Sequence, residues 1–318
     1  MKNLPKIIVI LGPTASGKTD LALSLAKKFN GEIVSADSRQ IYKKMSIGTA
    51  KPAGEWQGKN GTKAYVVDGV PHHLIDFIDP GKDFSLSDYK QEANKIIGQI
   101  IYRGKLPIVV GGTGLYIWAL VDNLAMPQVA PNKKLRHELE VKDLSELVEL
   151  LTKLDPDSAQ KIDLKNPRRV LRALEVAILT GESFLKQKSQ AEPLYNALQI
   201  GLLWPREDLY ACIEQRIDKM MEQGLIKEVE ALNKQKYGWN LPSMSSLGYK
   251  QIGAFLRGEI SLEQAVSEFK RDSRRYAKKQ MTWFKRDKRI EWIDKNHLKS
   301  SEKLVRDFIL PRARFRRP

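Results

Sequence analysis

Residues 12–19 read Gly12-Pro13-Thr14-Ala15-Ser16-Gly17-Lys18-Thr19, which matches the phosphate-loop pattern G-x-x-x-x-G-K-[ST]. In this pattern the glycines let backbone N–H groups converge on phosphate oxygens, the lysine adds a positive charge, and the last hydroxyl can ligate Mg²⁺. The apolar run Ile7–Leu11 predicts a buried strand before the loop. A helix that starts near Lys18 would add the positive end of its dipole. The sequence therefore predicts that residues 12–19 bind a phosphate or diphosphate, with Thr19 as the candidate Mg²⁺ ligand.

The first third of the chain alternates short β-branched runs with amphipathic stretches, which is typical of βαβ units around a parallel sheet. Two more strands are predicted at Glu32–Ser35 and Pro107–Val110, and an apolar stripe between Leu21 and Phe29 predicts the first helix. Ligands of open α/β sheets bind at the carboxyl ends of the strands. We therefore expect an α/β fold with a P-loop NTPase-like parallel sheet and a site at those strand ends.

The pattern changes near Asp122, where an irregular, proline-containing stretch gives way to helical periodicities. The next strand signal is the apolar run Ala197–Trp204. The simplest account is a helical insertion domain at 122–196. Residues 1–121 and 197–318 would then form one catalytic core with a helical C-terminal region.

Charge and cysteine content restrict the partners and the compartment. The chain has 54 Lys and Arg against 38 Asp and Glu, a net charge of +16, and residues 265–318 alone carry 18 against 7. Such a surplus predicts a polyanionic partner, either nucleic acid or an acidic membrane surface. The single cysteine, Cys212, excludes an internal disulfide framework and a Cys-rich zinc module. With no apolar run long enough to span a membrane, we expect a cytoplasmic enzyme.

Four further stretches narrow the interpretation. The first stretch consists of Asp37-Ser38-Arg39-Gln40-Ile41-Tyr42 and, shortly after it, Ile47-Gly48-Thr49-Ala50-Lys51-Pro52. The second is Val70-Pro71-His72-His73-Leu74-Ile75-Asp76, and the third is Gly111-Gly112-Thr113-Gly114-Leu115-Tyr116. The fourth consists of Ser246-Leu247-Gly248-Tyr249-Lys250-Gln251 and Arg275-Tyr276-Ala277-Lys278-Lys279-Gln280-Met281-Thr282-Trp283-Phe284-Lys285. With the phosphate loop, they resemble the tRNA dimethylallyltransferase family, also called tRNA isopentenyltransferases, as far as about Arg286. Eukaryotic members of this family carry a C-terminal zinc finger. This sequence, with its single cysteine, shows no such pattern, so the resemblance is to the bacterial type. Adjacent histidines in a strand point to opposite faces, so His72 and His73 are interpreted as structural.

The resemblance implies transfer of a dimethylallyl group from dimethylallyl diphosphate to the N6 amine of the adenosine 3′-adjacent to the anticodon in tRNA, with release of diphosphate. The phosphate loop would hold the diphosphate of the donor, although its pattern alone fits ATP equally well. Mg²⁺ is the implied cofactor. The expected partners are dimethylallyl diphosphate and the tRNA anticodon stem-loop, with no membrane, and the expected state is a monomer.

Three residues match family positions with catalytic roles. Asp37, at the end of a strand beside the loop, would accept a proton from the amine as the C–N bond forms, although an acid that assists Mg²⁺ or a helix N-cap fits the residue as well. Thr113 would hydrogen-bond near the amine, with an ordinary turn residue as the alternative. Arg216 would stabilise the departing diphosphate, although a lone helical arginine is more often a surface residue.

The C-terminal region also carries a pattern of its own. Phe269, Tyr276, Trp283 and Ile290 recur every seven residues, which predicts one aromatic face of a helix whose other faces are basic. Such a helix can pack by its aromatic face while its basic face meets phosphates, or it can simply be solvated. With the resemblance, the predicted tRNA contacts are Asp37, Ser38, Arg39, Gln40, Thr113, Arg136, Arg168, Arg169, Arg172, Gly248, Tyr249, Lys278, Lys279, Gln280, Thr282, Trp283 and Lys285.

Two other functions remain open from the sequence. An adenylate isopentenyltransferase would share the donor chemistry but would have no use for the basic C-terminal region. A phosphate-loop kinase or ATPase with an RNA-binding appendage would use the loop for ATP.

Overall fold

The computed structural model describes residues 4–58, 63–127, 129–130, 132–187, 191–294 and 299–310. The chain divides into two compact units, one formed by Met1–Val121 with Leu194–Pro318 and the other by Asp122–Pro193. The prediction placed the second boundary after residue 196. Tyr195 accounts for the difference, because its ring packs against the core of the first unit and its hydroxyl donates to Asn94 Oδ1 at 2.9 Å.

The described elements follow in chain order. They are β1 (Lys6–Leu11), α1 (Lys18–Lys28), β2 (Gly31–Ser35), β3 (Glu55–Gln57), β4 (Ala64–Val67), β5 (Val70–His73), α2 (Leu86–Tyr102), β6 (Leu106–Gly111), α3 (Gly114–Val121), α4 (Lys133–Glu140), α5 (Leu144–Leu154), α6 (Pro156–Lys161), α7 (Pro167–Thr180), α8 (Phe184–Gln187), β7 (Asn196–Leu203), α9 (Arg206–Glu222), α10 (Leu225–Lys234), α11 (Tyr249–Leu256), α12 (Leu262–Phe284), β8 (Glu291–Asp294) and α13 (Lys299–Ile309).

Within the described residues of the first unit, eight strands form one sheet in the order β3-β4-β5-β2-β6-β1-β7-β8. The six strands from β5 to β8 run parallel, and β3 and β4 pair antiparallel at one edge. The predicted parallel sheet is therefore confirmed. Sequence reasoning did not identify β3, β4 and β8, which are only three or four residues long and too short to give a clear strand signal.

The central strand β1 explains why its sequence lacks polar alternation. Ile7, Val9 and Leu11 pack against α2 and α3 on one face of the sheet, whereas Ile8 and Ile10 pack against α1 and α13 on the other. Both faces are covered by helices, so every residue from Ile7 to Leu11 is buried. This two-sided burial makes the carboxyl end of β1 a rigid base for the phosphate loop.

A third core lies beyond the sheet in the same unit, where α9, α10, α11 and α12 pack on the segment around Ile41–Met45. The second unit has its own small core, in which Leu147 and Leu151 of α5 meet Val170, Ala173 and Leu174 of α7. The side chains of Asn132 and Asn166 cap α4 and α7. Each accepts a hydrogen bond from the backbone N–H of the residue three positions later, which fixes where the helix begins.

The seven-residue aromatic series is wrong as a description of the buried face of α12. The buried residues of this helix include Ala265, Phe269, Ser273 and Ala277, spaced four apart, followed by Gln280 and Phe284. Tyr276 is 38% exposed, and Ile290 lies beyond the helix, which ends at Phe284. Small and polar residues form much of this face because it packs closely on the loops at the sheet edge.

Candidate active site

The carboxyl ends of four parallel strands bring the predicted site residues to one edge of the sheet. In the order β2-β6-β1-β7, β1 leads into the phosphate loop, β2 leads into Asp37, and β6 leads into Gly112 and Thr113. Backbone bonds tie two of these ends together, because Ala36 N–H donates to Val110 O at 2.7 Å and Thr113 N–H donates to Ala36 O at 3.2 Å. The strand order thus joins segments that are far apart in the sequence.

The phosphate loop has the backbone of an anion-binding turn. Ala15 and Gly17 both have left-handed φ angles, 63° and 81°, and α1 begins immediately afterwards at Lys18. From β7, Trp204 Nε1 donates to Ser16 O at 3.1 Å and supports the loop from outside. The Ser16 hydroxyl is buried and has no hydrogen-bond partner. An unpaired buried hydroxyl in this turn fits an oxygen of a bound diphosphate.

A side chain of α12 also holds the phosphate loop. Gln280 Oε1 accepts from Thr14 N–H at 2.9 Å, and Gln280 Nε2 donates to Gly112 O at 2.8 Å. The side chain is buried, with 6% of the residue exposed. Gln280 therefore has both ends of its amide engaged inside the protein, and its predicted contact with tRNA stays a prediction.

Two cations lie close together beside the loop. Burial and the neighbouring Arg216 guanidinium lower the pKa of Lys18 from 10.5 to about 7, although Asp37 acts in the opposite direction. Lys18 Nζ donates to Pro13 O at 2.5 Å. Burial also lowers the pKa of Arg216, which Asp20 and Cys212 partly offset. Two desolvated cations that repel each other form a site that a bound polyanion would stabilise.

Asp37 and Thr113 are both fixed in place by local hydrogen bonds. Asp37 Oδ1 accepts from the backbone N–H groups of Arg39 at 2.8 Å and Gln40 at 3.3 Å, so one carboxylate oxygen caps the turn as the alternative role proposed. Thr113 Oγ1 accepts from Ser38 N–H at 3.1 Å. The Tyr276 hydroxyl interacts with Thr113 and Gln280, and desolvation raises the pKa of Tyr276 to about 12.

A cavity of about 160 Å³ is lined by residues of the phosphate loop, by Asp37 and by Arg216. Its polar wall includes Thr14, Asp37 and Arg216, and Ile217 and Met220 belong to its apolar wall. The complete lining is Thr14, Ala15, Asp37, Arg39, Gly48, Thr49, Ala50, Ile213, Arg216, Ile217, Met220, Ser246, Leu247, Phe269, Ser273 and Tyr276. A cavity lined by both charged and apolar side chains suits a small amphiphilic ligand.

The wall formed by Gly48, Thr49 and Ala50 depends on a carboxylate that sequence reasoning did not identify. Glu228 of α10 accepts from the backbone N–H groups of Ser46 at 2.9 Å, Ile47 at 2.9 Å and Gly48 at 3.1 Å, and from the Tyr249 hydroxyl at 2.6 Å. On the other side of this segment, Gln40 Nε2 donates to Thr49 O and Ala50 O at 3.2 and 3.1 Å. A glutamate in an amphipathic helix gives no signal of such a role, because the partners are backbone groups 180 residues away.

Three of the residues predicted to contact tRNA are used for packing instead. The Tyr249 side chain is fully buried against Glu228, and a Cβ on Gly248 would lie 2.9 Å from the Phe269 ring. Trp283 lies edge-on against Trp118 at 5.8 Å and packs on Gly114. The structure therefore gives Tyr249, Gly248 and Trp283 packing roles, and their predicted contacts with tRNA stay predictions.

The remaining predicted tRNA residues of α12 and its end are exposed. Lys278, Lys279 and Lys285 all point to solvent, and we call them the outer lysines. Thr282 is also exposed, and its hydroxyl donates to Lys278 O at 2.9 Å.

The predicted tRNA residues after β2 lie at the site itself. Arg39 lines the cavity, and its guanidinium donates to Pro242 O at 2.5 Å. Ser38 is partly buried beside Thr113.

The four predicted arginines of the second unit fall into two groups. Arg136 and Arg172 both pair with Glu175, whose carboxylate is fully buried, and Arg136 does so with two bonds of 2.9 and 2.8 Å. Arg172 also donates to Val129 O at 2.9 Å. Arg168 and Arg169 are exposed. The first pair thus holds the unit together, and the second pair lies on its surface.

The structure sets limits on metal binding. Among the described residues no group of three or more His, Cys, Asp and Glu side chains could hold a metal ion. His73 Nε2 instead lies 2.7 Å from Glu32, and His72 Nδ1 lies 2.9 Å from Val70 O. Thr19 is partly exposed in the first turn of α1. Any Mg²⁺ at this site would need most of its ligands from substrate oxygens and water.

No helix in the described ranges is long and apolar enough to cross a membrane.

Comparisons with known proteins give consistent matches. The profile of a family described as "IPP transferase" matches residues 40–287, and one described as "Isopentenyl transferase" matches residues 5–70. A tRNA dimethylallyltransferase of Acetivibrio thermocellus is 44% identical over 311 residues, which is 96% of this chain and 96% of that protein.

Solved structures give the same result. A full-length tRNA isopentenylpyrophosphate transferase of Bacillus halodurans is 38% identical with a TM-score of 0.70, over 95% of this chain and 96% of that one. A eukaryotic dimethylallyltransferase described as acting on tRNA is 28% identical with a TM-score of 0.79, over 96% of this chain and 79% of that one. The P-loop NTPase-like fold is thereby confirmed, and the chain belongs to the tRNA dimethylallyltransferase family.

Proposed function

We propose that this protein transfers a dimethylallyl group from dimethylallyl diphosphate to the N6 amine of the adenosine 3′-adjacent to the anticodon in tRNA. The transfer of a dimethylallyl group to tRNA follows from the family. One observation supports the finer assignment most directly, namely that the phosphate loop, Asp37 and Arg216 all line one cavity. The lining of that cavity includes apolar side chains suited to a short prenyl group and the Arg216 guanidinium suited to its diphosphate.

The reaction replaces a C–O bond of the donor by a C–N bond and moves one proton from the amine to a base. The N6 nitrogen attacks the first carbon of the dimethylallyl group, and the bond from that carbon to the diphosphate oxygen breaks, so that the diphosphate leaves with the electron pair. Asp37 would take the proton that the amine loses, because its carboxylate lines the cavity beside the loop. Thr113, held by Ser38, would accept or donate a hydrogen bond near the same amine.

The departing charge would meet preorganised donors. Residues 15–19 offer backbone N–H groups, the unpaired Ser16 hydroxyl, and the ammonium of Lys18. Arg216 supplies a second cation from α9, which is what loss of a diphosphate requires. We also propose that Thr19 contributes a ligand to Mg²⁺, which would neutralise part of the diphosphate charge when bound.

We further propose that tRNA contacts the outer lysines of the first unit and, separately, the exposed Arg168 and Arg169 of the second unit. These side chains are exposed cations of the kind that contact phosphates. The target adenosine must leave the stacked anticodon loop to reach a cavity at the strand ends, at a cost of a few kcal/mol. We also propose that the protein acts on tRNA as a monomer in the cytoplasm.

One assay separates this proposal from the two alternatives. The protein is incubated with dimethylallyl diphosphate and either tRNA or AMP, and ATP turnover is measured separately. We expect prenylated adenosine in tRNA and none from AMP. Transfer to AMP would favour an adenylate isopentenyltransferase. ATP hydrolysis without prenyl transfer would favour a kinase or ATPase and refute the proposal.

A further inference from the structure

The peptide unit between Pro13 and Thr14 is held at both ends. Its N–H group, on Thr14, donates to Gln280 Oε1 at 2.9 Å, and its carbonyl, on Pro13, accepts from Lys18 Nζ at 2.5 Å. A peptide unit is planar, so two bonds at opposite ends fix its rotation. Gln280 therefore controls the orientation of the first turn of the phosphate loop. Through the Pro13 carbonyl, which accepts from Lys18 Nζ, it also affects the position of the Lys18 ammonium.

Only an amide side chain fits this position. Gln280 accepts from one backbone group and at the same time donates to another, Gly112 O at 2.8 Å. A carboxylate could accept from Thr14 N–H, but it would face the Gly112 carbonyl with no proton to donate. An aliphatic side chain would leave both backbone groups unpaired in a buried place. Gly112 itself has no room for a side chain, because a Cβ there would lie 2.3 Å from Gln280 Nε2.

Gln280 also lies on the opposite side of α12 from the charged surface. It is 6% exposed and shares the buried face with Ala277 and Phe284, whereas the outer lysines and Thr282 are exposed. The run Lys278–Lys285 thus contains two kinds of residue that the linear motif does not separate. Helical geometry places them on different faces.

We propose that Gln280 is a positioning residue for the diphosphate of the donor rather than a contact to tRNA. It orients the Pro13–Thr14 peptide and so keeps the loop N–H groups and Lys18 in the geometry that receives the diphosphate. The inference rests on the proposed function of the loop, and it adds a residue of the tRNA-binding helix to the donor side of the site.

The test measures two affinities on the same variants. Binding of inorganic pyrophosphate is measured by calorimetry at pH 8, and binding of an anticodon stem-loop RNA by fluorescence anisotropy. Gln280→Leu should weaken pyrophosphate binding about tenfold, because two hydrogen bonds that order the loop are lost. RNA affinity should stay within about twofold. The matched control is Gln264→Leu, an exposed glutamine in the first turn of the same helix, which should change neither affinity.

A second variant keeps the inference testable if Gln280→Leu folds poorly. In Gln280→Glu the ratio of wild-type to variant pyrophosphate affinity should exceed tenfold at pH 8 and shrink toward pH 5, because a protonated carboxyl can again donate to Gly112 O. A general packing defect would give a ratio that does not depend on pH.

The results that would contradict this inference can be told apart from those that would contradict the proposed function. Loss of RNA affinity with unchanged pyrophosphate binding in Gln280→Leu would overturn the inference and return Gln280 to the tRNA contacts. A pH-independent ratio in Gln280→Glu would also overturn it. If the wild-type chain itself bound no pyrophosphate, the proposed function would fail first, and this inference with it.

Discussion

Binding of the donor should take up a proton through Lys18. In the donor-free protein, burial and Arg216 lower the pKa of Lys18 from 10.5 to about 7, so about half of the lysine is neutral at pH 7. The negative charges of a bound diphosphate would offset Arg216 and stabilise the ammonium, which returns the pKa toward its ordinary value. The donor therefore binds the charged form of Lys18 more tightly than the neutral form.

The magnitude follows from the fraction of charged lysine in the donor-free protein. That fraction falls from about one half at pH 7 to about one hundredth at pH 9, so affinity for dimethylallyl diphosphate should fall about 50-fold over this range. At pH 8 the donor-free lysine holds about 0.1 proton and the bound lysine about one. Binding at pH 8 should thus take up about 0.9 proton.

Calorimetry in two buffers with different ionisation enthalpies measures this uptake directly, without tRNA so that no transfer occurs. Lys18→Met should abolish the uptake and weaken binding at pH 7. Lys27→Met, which removes an exposed lysine of the same helix, is the matched control and should keep the uptake. If wild-type affinity stayed flat between pH 7 and 9 and no proton were taken up, the reasoning about the two cations would be wrong.

Three further predictions concern the base, the tRNA surface and the packing of α12. Asp37→Asn should lower single-turnover prenyl transfer by about 10²–10⁴-fold while tRNA affinity is unchanged, and full turnover would refute its role as the base. Replacing all three outer lysines by Ala should make the negative slope of log affinity for tRNA against log salt concentration shallower by about two, and should leave donor affinity unchanged. Equal slopes in the wild type and the variant would place tRNA elsewhere. Gly114→Ala should lower the free energy of unfolding by about 1–3 kcal/mol, because the new Cβ would lie 2.3 Å from the Trp283 ring. The control Gly98→Ala, on an exposed face of α2 with open space around it, should raise that free energy by about 0.4–1 kcal/mol in the same denaturant titration.

Local patterns were sufficient for the parallel sheet and the phosphate loop. The run Ile7–Leu11 predicted a strand buried on both faces, and residues 12–19 predicted the turn and the start of α1 at Lys18, because each of these depends on neighbours in the chain. The ligand position at the strand ends also followed, since parallel strands bring their carboxyl ends to one edge. The resemblance to the family then singled out Asp37 and Thr113 among the residues at these strand ends.

Only the tertiary structure separated residues that orient the site from residues that face outward. The motif around Lys278–Lys285 reads as one basic segment, but the fold buries Gln280 against Thr14 and Gly112 and leaves the outer lysines exposed. Likewise, nothing around Glu228 predicts that it holds the backbone of Ser46–Gly48, and nothing around Glu175 predicts that Arg136, 39 residues earlier, pairs with its buried carboxylate. These roles arise from hydrogen bonds between segments tens to hundreds of residues apart. Such bonds depend on how strands and helices pack, and a linear pattern contains only the spacing along the chain.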